Sequence, residues 1–179
     1  METDKPKSAY RRGADDGVYL GVVLTALYFF TAYSFMIPVF GFLSLLLIVA
    51  VPALIFVLLR RAFISESGAT AFSALWMHGI MTFLCGAAIS STIAVVHMQW
   101  LEPDLLLKQI QALIDTYNST DWPQAKEIAH TLQLAIDNHM LPTPISMAID
   151  MLWLIVFTGS MLSIVISYIV KNLGYKPLK

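Results

Sequence analysis

Apolar positions along the chain gather into four long runs. Residues 17–37 carry no charge and stop at Pro38, and residues 39–59 carry none and stop at Arg60 and Arg61. Residues 67–101 are again free of charge, while residues 145–170 contain a single one, Asp150, and stop at Lys171. A helix that crosses a bilayer needs about 20 mainly apolar residues at ~1.5 Å each. The four runs therefore predict an all-α polytopic membrane protein with four transmembrane helices. Buried helices of a soluble domain rarely go so far without a charge. Only Pro38 separates the first two runs, which predicts a tight helical hairpin. Pro52 lies within the second, where it removes a backbone hydrogen bond and favours a kink.

Between the third and fourth runs the pattern changes. In residues 102–143 the apolar side chains recur every three or four positions. Leu106, Ile110, Leu113, Ile114 and Tyr117 form one stripe, and Ile128, Leu132, Ala135 and Ile136 form a second. Pro103 falls in the expected first turn of the first helix. Asp121 is placed to cap the second, with Pro123 in its first turn. Two amphipathic helices joined by the polar stretch NSTDW predict an external αα-hairpin. Its apolar faces are expected to pack on each other and on the ends of the spans. The alternatives are the outer leaflet or a partner, and the excess of acids in this segment argues against anionic lipid.

Composition agrees with the pattern: 58% of residues are hydrophobic and 13% charged, against about 25% charged in soluble domains. Lys and Arg set the orientation. Lys5, Lys7, Arg11 and Arg12 precede the first span, Arg60 and Arg61 follow the second, and Lys171, Lys176 and Lys179 follow the fourth. With four spans all of these lie on one side, and only Lys108 and Lys126 lie on the other. The positive-inside rule then places both termini and the 60–70 loop in the cytoplasm. The expected organisation is a cytoplasmic segment 1–16, spans one to three within 17–101, a periplasmic hairpin 102–143, span four at 144–170 and a cytoplasmic tail 171–179. A cleaved signal peptide is the other reading of the first run. Its length and the lack of a small-x-small closing site favour a retained helix.

Chemistry-bearing motifs are missing from the sequence. It has no GxGxxG, Walker-type loop, HExxH or GxSxG, and the single thiol, Cys85, forms no metal-ligand spacing. His130 and His139, nine apart, do not share a helical face. No catalytic residue, cofactor or metal is expected. Polar residues inside the spans are the remaining candidates. His78 falls near the middle of span three, and intramembrane ionisable groups are default candidates for proton or ion handling. No acid is expected at its depth. Asp150 falls ~9 Å along span four, near the interface, where the helix dipole favours an anion. His97, at the external end of span three, is its expected partner. Gly86 and Ser90, and Gly159, Ser163 and Ser167, recur at four-residue spacing, which lets helix backbones approach closely. Spans three and four are therefore expected at the centre of the bundle, with span two, whose only polar side chain is Ser44, facing lipid.

The order of features resembles the domain of unknown function 4199 family, small bacterial membrane proteins of four helices. The glycine-spaced start DDGVYLGVVL, the turn AFISESGATAFSALW, the exit WLEPDLL and the entry TPISMAIDMLW carry the resemblance, which covers about residues 13–171. It implies architecture and topology in a bacterial inner membrane, and it implies no activity. The expected function is that of a non-enzymatic accessory or structural membrane component. The alternative is a small transporter or channel subunit using His78 and Asp150. The lipid bilayer is the expected environment, with a second copy or another membrane protein as partner and no nucleic acid.

Overall fold

A computed structural model describes residues 8–174. Lys5, Lys7, Lys176 and Lys179, part of the basic pattern, lie outside these described residues. Among the described residues the chain is helical throughout, without strands. The helices are α1 (Ala9–Tyr33), α2 (Pro38–Ser65), α3 (Phe72–Val96), α4 (Leu105–Asn118), α5 (Pro123–Asp137) and α6 (Pro144–Asn172). A π-helical turn, His97–Leu101, extends α3 without interruption. Four helices, α1, α2, α3 with its π turn, and α6, are long and apolar enough to cross a membrane.

Helix ends follow local chemistry. Ser8 accepts from the Arg11 amide at the start of α1, so α1 begins two turns before the apolar run. Arg11, Arg12, Asp15 and Asp16 are thus helical rather than part of a preceding segment. Pro38 and Pro144 open α2 and α6 from the first turn, where the missing amide costs nothing. Thr143 caps α6 by accepting from the Ser146 amide. α2 runs past Arg60 and Arg61 to Ser65, and α3 starts only at Phe72. Ser67 and Gly68 adopt positive φ between them, and the Gly68 amide reaches back to the Phe63 carbonyl at 3.0 Å, a Schellman-type ending. Asp121 does not cap α5: Trp122 holds the capping position without a side-chain bond. Pro103 likewise stays in the turn before α4.

α3 is the central helix. Its largest interface is with α1, its next with α6, and α2 packs mainly against α1 and α6. Span three is thus central as expected, but its principal neighbour is α1 rather than α6. The reason is backbone proximity. A Cβ on Gly86 would meet the Gly17 carbonyl oxygen at 3.2 Å, and one on Gly17 would meet the Cys85 Cβ at 2.6 Å. Small residues allow such contact, and dispersion and tight packing hold helices together in lipid. On the other side of α3, Gly79 faces Ser163 and Gly159 faces the ring of Phe83. Ser90, Ser163 and Ser167 are fully buried in these contacts. The core at mid-bundle is built from Leu20, Leu24, Ile55, Leu59, Leu75 and Phe83. α2 presents Val39, Phe42, Leu45, Leu46, Ile48, Val49 and Val57 outward. Its Ser44 turns inward, donating to the Phe40 carbonyl and accepting from Thr31.

The α4–α5 hairpin closes one end of the bundle. Its apolar stripes face each other through Ile110, Ile114 and Ala129. Leu105 docks the hairpin among Ala32, Ala94 and Met98, and the Gln109 side chain donates to the Ala32 carbonyl at 2.8 Å. The faces therefore pack on each other, and it is the start of α4 that meets the spans. Leu113 is only half-buried. His139, at φ 54°, ends α5 in the left-handed conformation, and His130 is exposed.

Candidate functional site

Two polar clusters sit at opposite ends of α3, one at the end carrying the α2–α3 loop and one under the hairpin. At the loop end, His78 is 2% exposed and its Nε2 lies 2.8 Å from Asp16 Oδ2. The expectation that no acid shares the depth of His78 therefore fails. Because α3 begins at Phe72, His78 is only ~9 Å along it, which puts it nearer the membrane edge than the centre. Asp16 reaches it because α1 starts early and packs on α3 through Gly13 and Gly17, and a Cβ on Gly13 would sit 2.6 Å from the His78 carbonyl oxygen.

One turn back along α1, Arg12 forms an ion pair with Glu66 in the α2–α3 loop, and Thr70 donates to the same carboxylate. The hydroxyl of Thr70 and the Arg12 guanidinium hold the Glu66 carboxyl below its ordinary range, in that order of effect, against a smaller opposing effect of burial. Two cavities converge on this cluster. One, of about 240 Å³, touches Arg12, Glu66, Thr70 and His78. The other, of about 720 Å³, touches Arg12, Asp15, Asp16, Arg61 and His78. The charged groups around His78 thus come from α1, from α2 and from the loop. α6 carries only Asp150 and Lys171, both exposed.

At the hairpin end, His97 is 4% exposed and bonded at both ring nitrogens. Tyr28 OH lies 2.9 Å from Nδ1 and Tyr33 OH lies 3.0 Å from Nε2. Tyr33 donates its only proton to Glu102 Oε1 at 2.7 Å. The Tyr33 oxygen can then only accept from His97, so Nε2 carries a proton and Nδ1 accepts from Tyr28 in the neutral ring. The ring of Phe29 meets the imidazole edge-on at 5.0 Å. The π turn makes this possible: the Glu102 amide bonds the His97 carbonyl at 2.8 Å, bringing the carboxylate under the bundle end.

Asp150 does not join this network. It is exposed on α6, among the described residues it has no hydrogen bond or ion pair, and the expected His97 partnership is replaced by the two tyrosines. Gly86, Ser90, Gly159, Ser163 and Ser167 lie at helix contacts as described, and among the described residues the hydroxyls of Ser90, Ser163 and Ser167 meet no hydrogen-bond partner.

Sequence reasoning missed Arg12, Asp16, Glu66, Tyr28, Tyr33 and Glu102. A signal for Asp16 was present. Gly13, Gly17, Leu20, Gly21 and Leu24 repeat at helical spacing, and this face brackets Asp16. Beginning the span at the first uncharged residue cut the pattern in two.

The sequence profile of the family described as "Protein of unknown function (DUF4199)" matches residues 16–172, and the chain belongs to that family. No curated protein and no solved structure matches it.

Proposed function

We propose that the protein is a non-enzymatic accessory component of the bacterial inner membrane, with one end of its bundle held together by the Asp16–His78 and Arg12–Glu66 pairs. In this reading both termini and the α2–α3 loop are cytoplasmic, on the strength of the basic residues gathered there. The observation that carries it is a buried imidazole hydrogen-bonded to a carboxylate at the meeting point of two cavities. An ionisable group inside a span is costly unless it is paired or faces a cavity, and His78 meets both conditions. Asp16 and Arg12 are one turn apart on α1, near enough to interact, and Arg12 also pairs with Glu66.

A second reading, a small proton-coupled transporter, draws on the His97 cluster, which lies about 28 Å along the helix from His78. The packed middle of the bundle favours the first reading: Leu20, Phe83 and Ala87 are buried between the levels of the two histidines. Purified protein reconstituted into vesicles with an imposed pH gradient separates the two. The accessory reading predicts no proton flux above protein-free vesicles, together with protease cleavage of the 65–71 loop that is faster in Asp16→Ala than in the parent. Flux in the parent that His78→Ala removes would replace it with the transporter.

A further inference from the structure

The charged end of the bundle holds more cationic donors than its own side chains use. A cavity of about 720 Å³ lies there, where α1, α2 and α3 meet, within the ~300–1,000 Å³ of ligand sites. Its polar lining is Arg12, Asp15 and Asp16 of α1, Arg61 and Ser65 of α2, and His78 of α3. Most of these groups are already engaged. Asp16 is bonded to His78, Arg12 to Glu66 and Ser65, and Asp15 has a contact of its own. Ser65 donates to the Ala62 carbonyl at 2.7 Å. Two donors are left over. Arg61 is exposed and, among the described residues, has neither an ion pair nor a hydrogen bond. Arg12 Nε is buried and has no partner among the described residues. With the carboxylates held by neighbours, the unused capacity belongs to guanidinium groups and suits an anion. The guanidinium fork matches the oxygens of a phosphate.

The apolar lining sets the depth. Val18 and Tyr19 of α1 and Leu58 of α2 border the same cavity, and all three belong to the uncharged runs. From Arg12 to Tyr19 is ~10 Å along α1. The cavity therefore reaches from the charged first turns of α1 into the apolar part of the span, the boundary at which a bilayer changes from headgroups to hydrocarbon. Val18 and Tyr19 are exposed, so this lining is reachable from the bilayer. A phosphate that carries acyl chains meets both halves of the site, with Arg61 at its oxygens and the apolar side chains along the start of its chains. A free phosphate ion would use only the first half.

We propose that this cavity binds the phosphate of a membrane phospholipid, with Arg61 as its principal contact. The site needs only a membrane surface at this end of the bundle, so it stands apart from the accessory reading and from the orientation. Delipidated protein in mild detergent is mixed with phosphatidylglycerol or with diacylglycerol of identical chains and examined by native mass spectrometry. The expected result is retention of phosphatidylglycerol over diacylglycerol by about fivefold, the scale of an exposed charge pair. Arg61→Gln should bring the two close to equality while melting with the parent, since Arg61 has no partner in the fold to lose. Arg60→Gln removes the same charge one residue away, from a side chain that bonds the Gly174 carbonyl and lies outside the cavity lining, and should leave the preference intact. Millimolar inorganic phosphate should not displace the lipid. On the unmodified protein, phosphatidylglycerol with a photoreactive headgroup should label peptides spanning 12–19 and 58–65. Equal retention of the two lipids by the parent, or equal losses in Arg60→Gln and Arg61→Gln, would overturn the proposal. So would labelling centred on α6, and displacement by inorganic phosphate would make the ligand a free ion instead of a lipid.

Discussion

His78 and Asp16 form a contact that neither residue supports alone. Asp16→Ala leaves a buried imidazole nitrogen without a partner, a loss of about 1–3 kcal/mol, read as a lower melting temperature in detergent. Asp16→Asn keeps an acceptor in place and should lose less. An Asp16→Ala protein that melts with the parent would show that the pair contributes nothing to the fold. Glu66 gives a pH signature of its own. Its carboxyl is held below the ordinary range by Thr70 and Arg12, so its contribution is present above the unfolded value of about 4.3. That contribution fades as pH falls through the lowered folded value. Solvent screening keeps it small. Protease cleavage of the 65–71 loop should therefore increase below about pH 4, and Glu66→Gln should show the open behaviour already at pH 7. Among these residues only His78 was legible in the sequence, because a histidine inside an apolar run is conspicuous. Asp16 and Arg12 read as flanking charges, since their burial depends on how far α1 extends before its apolar run.

The helices themselves were more legible than their contacts. Four long apolar runs and two amphipathic stripes predict the six helices that form, and the four-residue spacing of small residues marks sites of close approach. What the spacing does not specify is the partner: Gly86 meets α1, while Gly159 and Ser163 meet α3. The π turn was invisible, because nothing in the local pattern of residues marks the bond from the Glu102 amide to the His97 carbonyl. Two substitutions test this scale. Gly86→Leu forces a side chain into the Gly17 and Gly21 backbone and should cost more than the ~1–3 kcal/mol usual for overpacking, since backbone cannot move aside as a side chain can. Ile114→Asp places an unpaired charge between α4 and α5, where Ile114 is 4% exposed, and should unfold the hairpin. Leu113→Asp, half-buried, should be milder. Similar circular dichroism and melting for Ile114→Asp and the parent would mean that the hairpin does not hold together through this face.

At the scale of the molecule, one end gathers the start of α1, the α2–α3 loop and the end of α6, tied together by Arg12 to Glu66 and by Arg60 to the Gly174 carbonyl at 3.1 Å. The opposite end is closed by the acidic hairpin. The proposed orientation, with the basic end in the cytoplasm, rests on this asymmetry. In a Cys85→Ser background an impermeant thiol reagent should modify a cysteine at Asn118 in intact cells, and one at Ser65 only after permeabilisation. The reverse pattern would invert the account. The central claim is that Asp16 of α1 holds the His78 ring of α3 at the loop end of the bundle. The most direct test is nitrogen-15 magnetic resonance of histidine-labelled protein in lipid bilayers, with the His78 signals assigned by comparison with His78→Gln. Asp16→Ala is expected to move the His78 ring signals and to leave those of His97 in place. His78 ring signals unchanged by Asp16→Ala would contradict the claim.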